Sequence, residues 1–135
     1  MTESNLASQG LVFMCSGQGS QKPGMGVDLL ENSQVKGAFS CASDVFGIDV
    51  AALCCNAPAE VLNDTRNAQA AISALSIGIA RALMHRGVMP SAVLGFSLGQ
   101  TSALALSGMV SDETAFKQTQ CQQNKLFYIL HNLAI

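Results

Sequence analysis

The sequence predicts an α/β fold in which helices flank a parallel sheet. Two short apolar runs, residues 11–15 and 92–96, are bounded by glycine or proline and are typical of buried strands. Segments with apolar residues at helical spacing lie between and after them, and strands that alternate with helices favour a parallel sheet. Two parallel strands are too few for a sheet covered on both faces, so we expect either further strands or only a part of the sheet.

The elements of the first half follow in order from local signals. Residues 16–26 contain four glycines and a proline, and this composition predicts an irregular loop after the first strand. Residues 32–46 have apolar side chains at helical spacing, and Gly47 is a C-terminal stop signal. Asp49 is expected to cap a short helix, and Pro58 is suited to the first turn of the next one.

The longest predicted helix begins near Thr65 or Asn67, which are its candidate caps, and runs to about Arg86. Its expected buried stripe consists of Ala71, Leu75, Ile79, Ala82 and Leu83. After the second strand, residues 100–107 predict a further helix, and Ser111 is expected to cap the last one.

Composition restricts the classes of function. The chain has 135 residues, enough for one domain, with a formal net charge of -2 and no cluster of basic residues, which argues against a nucleic-acid partner. It has no apolar stretch long enough to span a membrane, and its first residues lack the pattern of a signal peptide. Its five cysteines lack the spacing of a metal site, and we interpret them as reduced thiols of a cytoplasmic protein.

The sequence Gly95-Phe96-Ser97-Leu98-Gly99 lies between the second strand and a helix. In this context a GxSxG sequence predicts a nucleophile elbow, because small residues permit a sharp turn that exposes the serine hydroxyl. Free N–H groups at the start of the following helix favour a developing oxyanion. The alternative is a tight strand-to-helix turn in which the serine only caps the helix.

The glycine-rich loop after the first strand is the second candidate site. Parallel strands place their ligands at the carboxyl edge of the sheet, where the loop of residues 16–26 begins. Its spacing matches neither of the common phosphate-binding motifs, although a nucleotide loop remains an alternative, as does a connection with no ligand.

Three motifs taken together resemble those of the malonyl-CoA:acyl carrier protein transacylases, and of the acyltransferase domains of fatty acid and polyketide synthases. They are the glycine loop at residues 17–26, the segment LNDTRNAQAAI at 62–72, and GFSLGQTSALALSG at 95–108. Their order and spacing extend the resemblance over about residues 11–117.

The resemblance implies a fold, a reaction and a set of roles. The fold would be the amino-terminal part of an α/β-hydrolase-like subdomain, without the ferredoxin-like subdomain that the family inserts. Ser97 would be the nucleophile, the backbone N–H groups of Gln18 and Leu98 the oxyanion hole, and Gln69 a substrate-binding residue. The acyl group, malonyl or another short acyl, would pass from CoA to serine and then to the thiol of an acyl carrier protein, with no cofactor and no metal.

The chain also departs from the family pattern. Phe96 replaces a histidine, Gln100 replaces a glutamate, and Gln122 stands where the family has the arginine that binds the malonyl carboxylate. The resemblance covers residues 1–117 as a partial acyltransferase domain and fades over 118–135, a divergent tail expected to be helical. The family's general-base histidine would lie beyond this tail, so we expect the isolated chain to be weakly active or inactive.

Two other functions remain open at this point. An α/β serine hydrolase shares the elbow, but it does not predict the other two motifs. A non-catalytic fragment, or a module that binds the carrier protein or another partner, fits the high apolar content of 49%.

Overall fold

The computed structural model describes residues 10–133, and the side chains of residues 10–124. Within this range the chain forms two strands, six α-helices and one short 3-10 helix at Val27–Leu29. The strands are β1 (Val12–Cys15) and β2 (Ala92–Gly95). The helices are α1 (Ser33–Phe46), α2 (Val50–Asn56), α3 (Ala59–Leu62), α4 (Thr65–His85), α5 (Gly99–Leu106) and α6 (Asp112–Leu133).

The two strands form a parallel sheet, which confirms the predicted fold class. Their register pairs Val12 with Ala92 and Cys15 with Gly95, so both strands end at the same edge. On the inner face, Phe13 and Val93 pack with Cys15 against α4 and α5. On the outer face, Met14 and other apolar side chains are exposed to solvent.

Helix α4 lies at the centre of the molecule, and most of its buried residues are small. The buried residues of this helix are Ala68, Ala70, Ala71, Ile72, Ser73, Ala74, Ile77, Gly78 and Ala80. The predicted stripe is wrong in part, because Ile79 and Leu83 are exposed. The prediction followed the large apolar residues and so missed the alanine-rich face of α4. This face is buried because its small residues permit the close approach of α1 at Gly78.

Most predicted helix caps are confirmed. Gly47 ends α1 with φ 70°, as predicted, and the Asn32 side chain, which was not predicted as a cap, accepts hydrogen bonds from the first turn of that helix. Asp49 caps α2 as expected. The predicted cap of α4 is wrong, because Asp64 accepts the Arg66 N–H at 3.0 Å.

The other two cap predictions concern Asn67 and Ser111. Asn67 instead donates from its side chain to the Val61 carbonyl at 2.9 Å, and so it stabilises the turn before α4 rather than capping the helix. Ser111 accepts the Thr114 N–H at 3.1 Å, as predicted for the cap of α6.

Helix α6 passes through the predicted boundary between residues 117 and 118 without a break. Residues 134–135 of the predicted tail lie outside the described residues. Within residues 10–133 no single helix is long and apolar enough to cross a membrane; α1 and α2 reach that length and composition only as a pair, bent by 109°.

Candidate active site

The candidate site lies where the two strands end side by side. The chain leaves β1 at Cys15 and β2 at Gly95, and these residues are paired in the sheet. The Phe96 N–H donates to the Cys15 carbonyl at 3.2 Å, which continues the ladder by one further bond. A side chain on Gly17 would lie only 2.9 Å from the Phe96 carbonyl oxygen, so the two loops are in backbone contact. The two sequence-predicted motifs are therefore brought together at one edge of the sheet.

Ser97 occupies the sharp turn between β2 and α5. Its φ is 53°, and it is the single non-glycine residue with positive φ in the part of the chain that the structure describes. Such a conformation costs about 1 to 3 kcal/mol for a residue with a side chain and must be stabilised by its surroundings. Ser97 is exposed to solvent, so the turn presents its hydroxyl at the surface.

The glycines on either side of Ser97 explain how the strained turn is accommodated. A Cβ on Gly95 would overlap the carbonyl oxygen of Gly99, and a Cβ on Gly99 would overlap the carbonyl oxygen of Cys15. The turn is closed by hydrogen bonds from the Gly99 N–H to the Phe96 carbonyl at 2.9 Å and from the Gln100 N–H to the Ser97 carbonyl at 3.0 Å. Both glycines are therefore required by the packing of the backbone.

Leu98 and Gln18 each contribute a backbone N–H without a hydrogen-bond partner among the described residues. Leu98 is the N-cap residue of α5, and no side chain caps this helix, so the alternative in which Ser97 serves as the cap is wrong. The side chain of Leu98 is buried against Ala68 and Ile72 of α4. Unpaired N–H groups near a helix start attract negative charge.

A chain of side-chain amides connects the β1 loop with α4. Gln69 donates from its Nε2 to the Oε1 of Gln18 at 3.2 Å, and Gln18 donates from its Nε2 to the Thr65 hydroxyl at 3.4 Å. The Oε1 of Gln69 is buried and has no partner among the described residues. Gln69 therefore lies beside Gln18, and its second amide atom is buried without a described partner.

Two features of the β1 loop were not foreseen from the sequence. The Ser20 hydroxyl lies 3.0 Å from the Gly17 carbonyl and 3.2 Å from the Ser16 hydroxyl, which tightens the loop. Gln21 donates to the Asn63 side chain at 2.9 Å and also accepts the Gly19 N–H at 2.8 Å. The serines of the loop could have indicated hydrogen bonds within the loop. The bond from Gln21 to Asn63 joins residues 42 positions apart, so no local sequence pattern could have indicated it.

The departures from the family pattern occupy distinct places in the structure. Phe96 is 78% exposed, and one edge of its ring lies against Gly17. Gln122 is exposed on α6, whereas the neighbouring Gln123 is buried and donates to the Arg66 carbonyl at 3.3 Å. Gln123 thus connects α6 with the start of α4 through an uncharged amide.

No described side chain hydrogen-bonds to the hydroxyl of Ser97 in residues 10–124. His85 lies in the last turn of α4, which leads into the beginning of β2, at the opposite edge of the sheet from Ser97. The side chain of His131 lies outside the described residues. The described part of the site therefore contains an exposed serine hydroxyl and unpaired N–H groups without a neighbouring base.

Acidic, thiol and imidazole groups do not gather into a metal site anywhere in the described range. Burial raises the pKa of the Cys15 thiol, which lies directly below the elbow in the inner layer. Cys15 is thus a neutral, packed side chain at neutral pH, and Ser97 is the exposed hydroxyl of the elbow.

Comparison with known proteins gives consistent results. Residues 12–127 match the family described as the acyl transferase domain. The chain is 38% identical over 109 residues to the malonyl CoA-acyl carrier protein transacylase of Bacillus subtilis. It is 35% identical over 113 residues to the human mitochondrial malonyl-CoA-acyl carrier protein transacylase. Each alignment covers 79% of this chain, but only 27% and 28% of the two relatives.

Solved structures show the same relationship. An acyl-carrier-protein S-malonyltransferase from Bartonella henselae superimposes with a TM-score of 0.79 at 32% identity, over 85% of this chain and 38% of that one. A malonyl-transacylase in complex with its holo type II PKS acyl-carrier protein superimposes with a TM-score of 0.77 at 37% identity, over 83% of this chain and 37% of that one. The chain thus spans roughly a third of the length of the proteins that it resembles.

Proposed function

The chain belongs to the acyl transferase domain family, and from this premise we propose that it carries the nucleophile and oxyanion part of an acyl-transfer site. The proposed substrates are malonyl-CoA or another short acyl-CoA as donor and the thiol of an acyl carrier protein as acceptor, in fatty acid biosynthesis. Ser97 is the proposed nucleophile, Gln18 and Leu98 the proposed oxyanion donors, and Gln69 the proposed substrate-binding residue.

The observation that carries this proposal is the backbone of Ser97. A serine with φ 53°, exposed between two glycines that cannot accept a side chain, has the geometry of a nucleophile elbow. Strain of this kind is retained only where the surrounding structure enforces it, and it is concentrated at functional sites. Family membership then indicates acyl transfer rather than another use of an exposed serine.

The proposed reaction has two balanced steps. In the first, the Ser97 oxygen attacks the thioester carbonyl carbon, the carbon–sulfur bond breaks, and CoA leaves as a thiol with the serine proton. In the second, the carrier thiol attacks the ester carbonyl, the carbon–oxygen bond breaks, and Ser97 regains a proton. In each step the negative charge on the carbonyl oxygen is stabilised by the N–H groups of Gln18 and Leu98, which have no other described partner.

The rate depends on the group that accepts the serine proton. A serine hydroxyl without an adjacent base is a weak nucleophile, and the described residues place no base beside Ser97. We therefore expect slow acylation by the chain as it stands, with the rate supplied by the oxyanion donors and by binding. The proposed role of Gln69 is to bind the substrate beside Gln18, to which its amide is hydrogen-bonded at 3.2 Å.

The names of the relatives support the proposed substrates, and the cysteines support the proposed location. Transfer from malonyl-CoA to an acyl carrier protein is what the names of the relatives state for those proteins. A cytoplasmic location is supported by the described cysteines, all of which are free thiols.

A partner-binding function is the second candidate, and the outer face of the sheet favours it. Met14 is 80% exposed and Leu94 is 55% exposed, on neighbouring strands of a parallel sheet. Parallel sheets are normally covered on both faces, and contiguous exposed apolar surface is typical of an interaction site.

A two-stage transfer assay tests the proposal. The chain is incubated with acyl-CoA, freed of excess donor, and mixed with a holo acyl carrier protein. Acylated carrier that requires Ser97, and is absent with Ser97→Ala, supports acyl transfer. Release of free acid to water at an equal rate with and without the carrier indicates a serine hydrolase instead. A folded chain that binds the carrier without forming an acyl intermediate indicates the partner-binding function.

A further inference from the structure

Two threonine hydroxyls meet inside the protein, beneath the elbow. Thr101 on α5 is 4% exposed and Thr119 on α6 is 1% exposed, and their hydroxyl oxygens lie 2.9 Å apart. Their neighbours along the same faces include Ala105 and Ala115, which are buried and apolar. A buried polar pair is expensive unless it is fully hydrogen-bonded, so its presence between two packed helices requires an explanation.

The hydrogen-bond geometry assigns a direction to this pair. The hydroxyl of Thr101 lies 2.9 Å from the Leu98 carbonyl oxygen, and the hydroxyl of Thr119 lies 3.1 Å from the Ala115 carbonyl oxygen. Together with the contact between the two hydroxyls, this gives three oxygen–oxygen contacts. Each hydroxyl has one proton, so only two of the three contacts are hydrogen bonds at one time. If neither proton lay between the hydroxyls, two oxygens would face each other at 2.9 Å. Two arrangements keep a proton between the hydroxyls: Thr119 donates to Thr101 and Thr101 to the Leu98 carbonyl, or the order is reversed and ends on the Ala115 carbonyl. The shorter contact to the Leu98 carbonyl, 2.9 Å against 3.1 Å, favours the relay that ends on Leu98.

This relay ends on the residue that carries a proposed oxyanion donor. The carbonyl of Leu98 accepts the Thr101 hydroxyl, and its side chain is buried against Ala68 and Ile72 of α4. Its N–H has no partner among the described residues and belongs to the peptide that follows the strained Ser97. With the carbonyl and the side chain of Leu98 both held, the position of its backbone nitrogen is held as well, which restricts the directions that the N–H can take.

We propose that Thr101, supported by Thr119, is a positioning residue that orients the Leu98 N–H and maintains the strained conformation of Ser97. This inference rests on the proposed function, because orientation of the N–H matters for the rate only if an oxyanion forms there. Thr101 does not contact the reacting atoms. It acts through Leu98, and Thr119 acts through Thr101.

The first experiment measures single-turnover acylation at saturating acyl-CoA. Thr101→Val is expected to lower the saturating rate about tenfold and to leave the half-saturating concentration within about twofold, because only transition-state stabilisation is lost. Thr101→Ser restores the hydroxyl and is expected to recover the rate to within about threefold of the original. The matched control is Ser107→Ala, which removes a hydroxyl bond of the same kind, from Ser107 to the Leu104 carbonyl at 2.9 Å, at the far end of α5.

The double variant separates positioning from general stability. Thr119→Val alone is expected to lower the acylation rate about threefold. Adding it to Thr101→Val is expected to cause no further loss, because the effects of substitutions at residues that act in series do not add. Losses that multiply in the double variant would overturn the relay. An acylation rate of Thr101→Val equal to that of the original chain would overturn the proposal while leaving the proposed function intact.

A second measurement does not depend on activity. Amide NMR of the full chain is expected to show shifted Leu98 and Ser97 resonances, with about tenfold faster hydrogen exchange of the Leu98 amide, in both valine variants. The Ser107→Ala control is expected to leave both resonances unchanged. If the original chain forms no acyl-serine, the proposed function fails, and these spectra still decide the positioning role. A Leu98 amide that is unchanged in Thr101→Val would overturn that role.

Discussion

The carbonyl oxygen of Cys15 lies so close to the α-carbon of Gly99 that no side chain fits between them. This contact presses the end of β1 against the first residue of α5, and it places the β1 loop beside Ser97. The glycine of the motif is therefore required by close packing with a residue 84 positions earlier, as well as by the sharpness of the turn itself.

Gly99→Ala is expected to destabilise the chain by about 3 kcal/mol or more, because its Cβ would overlap rigid backbone that cannot move aside. The matched control is Gly37→Ala in α1, where nothing lies within 4 Å of the new methyl group. That control is expected to stabilise by about 0.5 to 1 kcal/mol, since alanine is the better helix former. Urea unfolding followed by circular dichroism measures both. Equal stabilities for the two variants would contradict the described packing of the elbow.

Arg81 on α4 forms a two-pronged ion pair with Asp112 at 2.6 and 3.3 Å and also donates to the Ala105 carbonyl at 3.1 Å. Both partners are less than a third exposed. Arg81→Met is expected to lower the free energy of unfolding by about 1 to 3 kcal/mol, because it leaves the partly buried Asp112 carboxylate without its guanidinium donor and removes one of the donors to the Ala105 carbonyl.

The control for this ion pair is Lys36→Met, which removes the exposed pair of Lys36 with Glu31. Exposed pairs contribute little, so its effect is expected to stay within about 0.5 kcal/mol. Both variants are measured by urea unfolding at low and high salt. An Arg81→Met chain as stable as Lys36→Met would show that the connection between α4 and α6 is not formed in solution.

Gln69→Ala is expected to raise the half-saturating acyl-CoA concentration about fivefold. This factor corresponds to the loss of one hydrogen bond with a net contribution of about 1 kcal/mol. The physical reason is the loss of the buried Oε1 and of the bond to Gln18 at 3.2 Å. Gln118→Ala, at an exposed position of α6, is the control. A titration of the acylation rate measures both variants. An unchanged concentration dependence in Gln69→Ala would remove Gln69 from the proposed binding site.

Alkylation of the cysteines tests the described core. Burial raises the pKa of the Cys54 thiol to about 12, so at pH 8 the reactive thiolate is almost absent. Cys54 and Cys15 are buried, whereas Cys121 is exposed. Iodoacetamide at pH 8, followed by peptide mass mapping, is therefore expected to modify Cys121 first and Cys54 only after unfolding in urea. Early modification of Cys54 in the native chain would contradict the packing of α2 against α4.

The sequence predicted the features that depend on near neighbours. Gly47 and Asp49 were identified as a helix stop and a helix cap because such residues act on positions two to four residues away. The elbow at Ser97 was predicted for the same reason, since strand, turn and helix are contiguous in the chain. Asp64 was overlooked because two other polar residues follow it within three positions, and each is an acceptable cap by type.

The features that the sequence did not predict depend on tertiary contacts. The buried face of α4 consists mostly of alanines and other small residues, and which face is buried depends on how closely α1 approaches. Thr101 and Thr119 carry no local signal, because their hydroxyls meet only when α5 and α6 pack together. The link from Gln18 to Gln69 joins residues 51 positions apart and was not predicted, although the family resemblance had named both residues.

Intact-mass spectrometry shows whether Ser97 accepts an acyl group, which is the role proposed for it. The folded chain is incubated separately with malonyl-CoA and acetyl-CoA, and the modified residue is located by peptide mapping, with Ser97→Ala as the control. We expect a single, slowly formed adduct of about 86 mass units from malonyl-CoA or about 42 from acetyl-CoA. It is located at Ser97 and is absent from the variant. An adduct at another residue, or none from either donor on a chain shown to be folded, would contradict it.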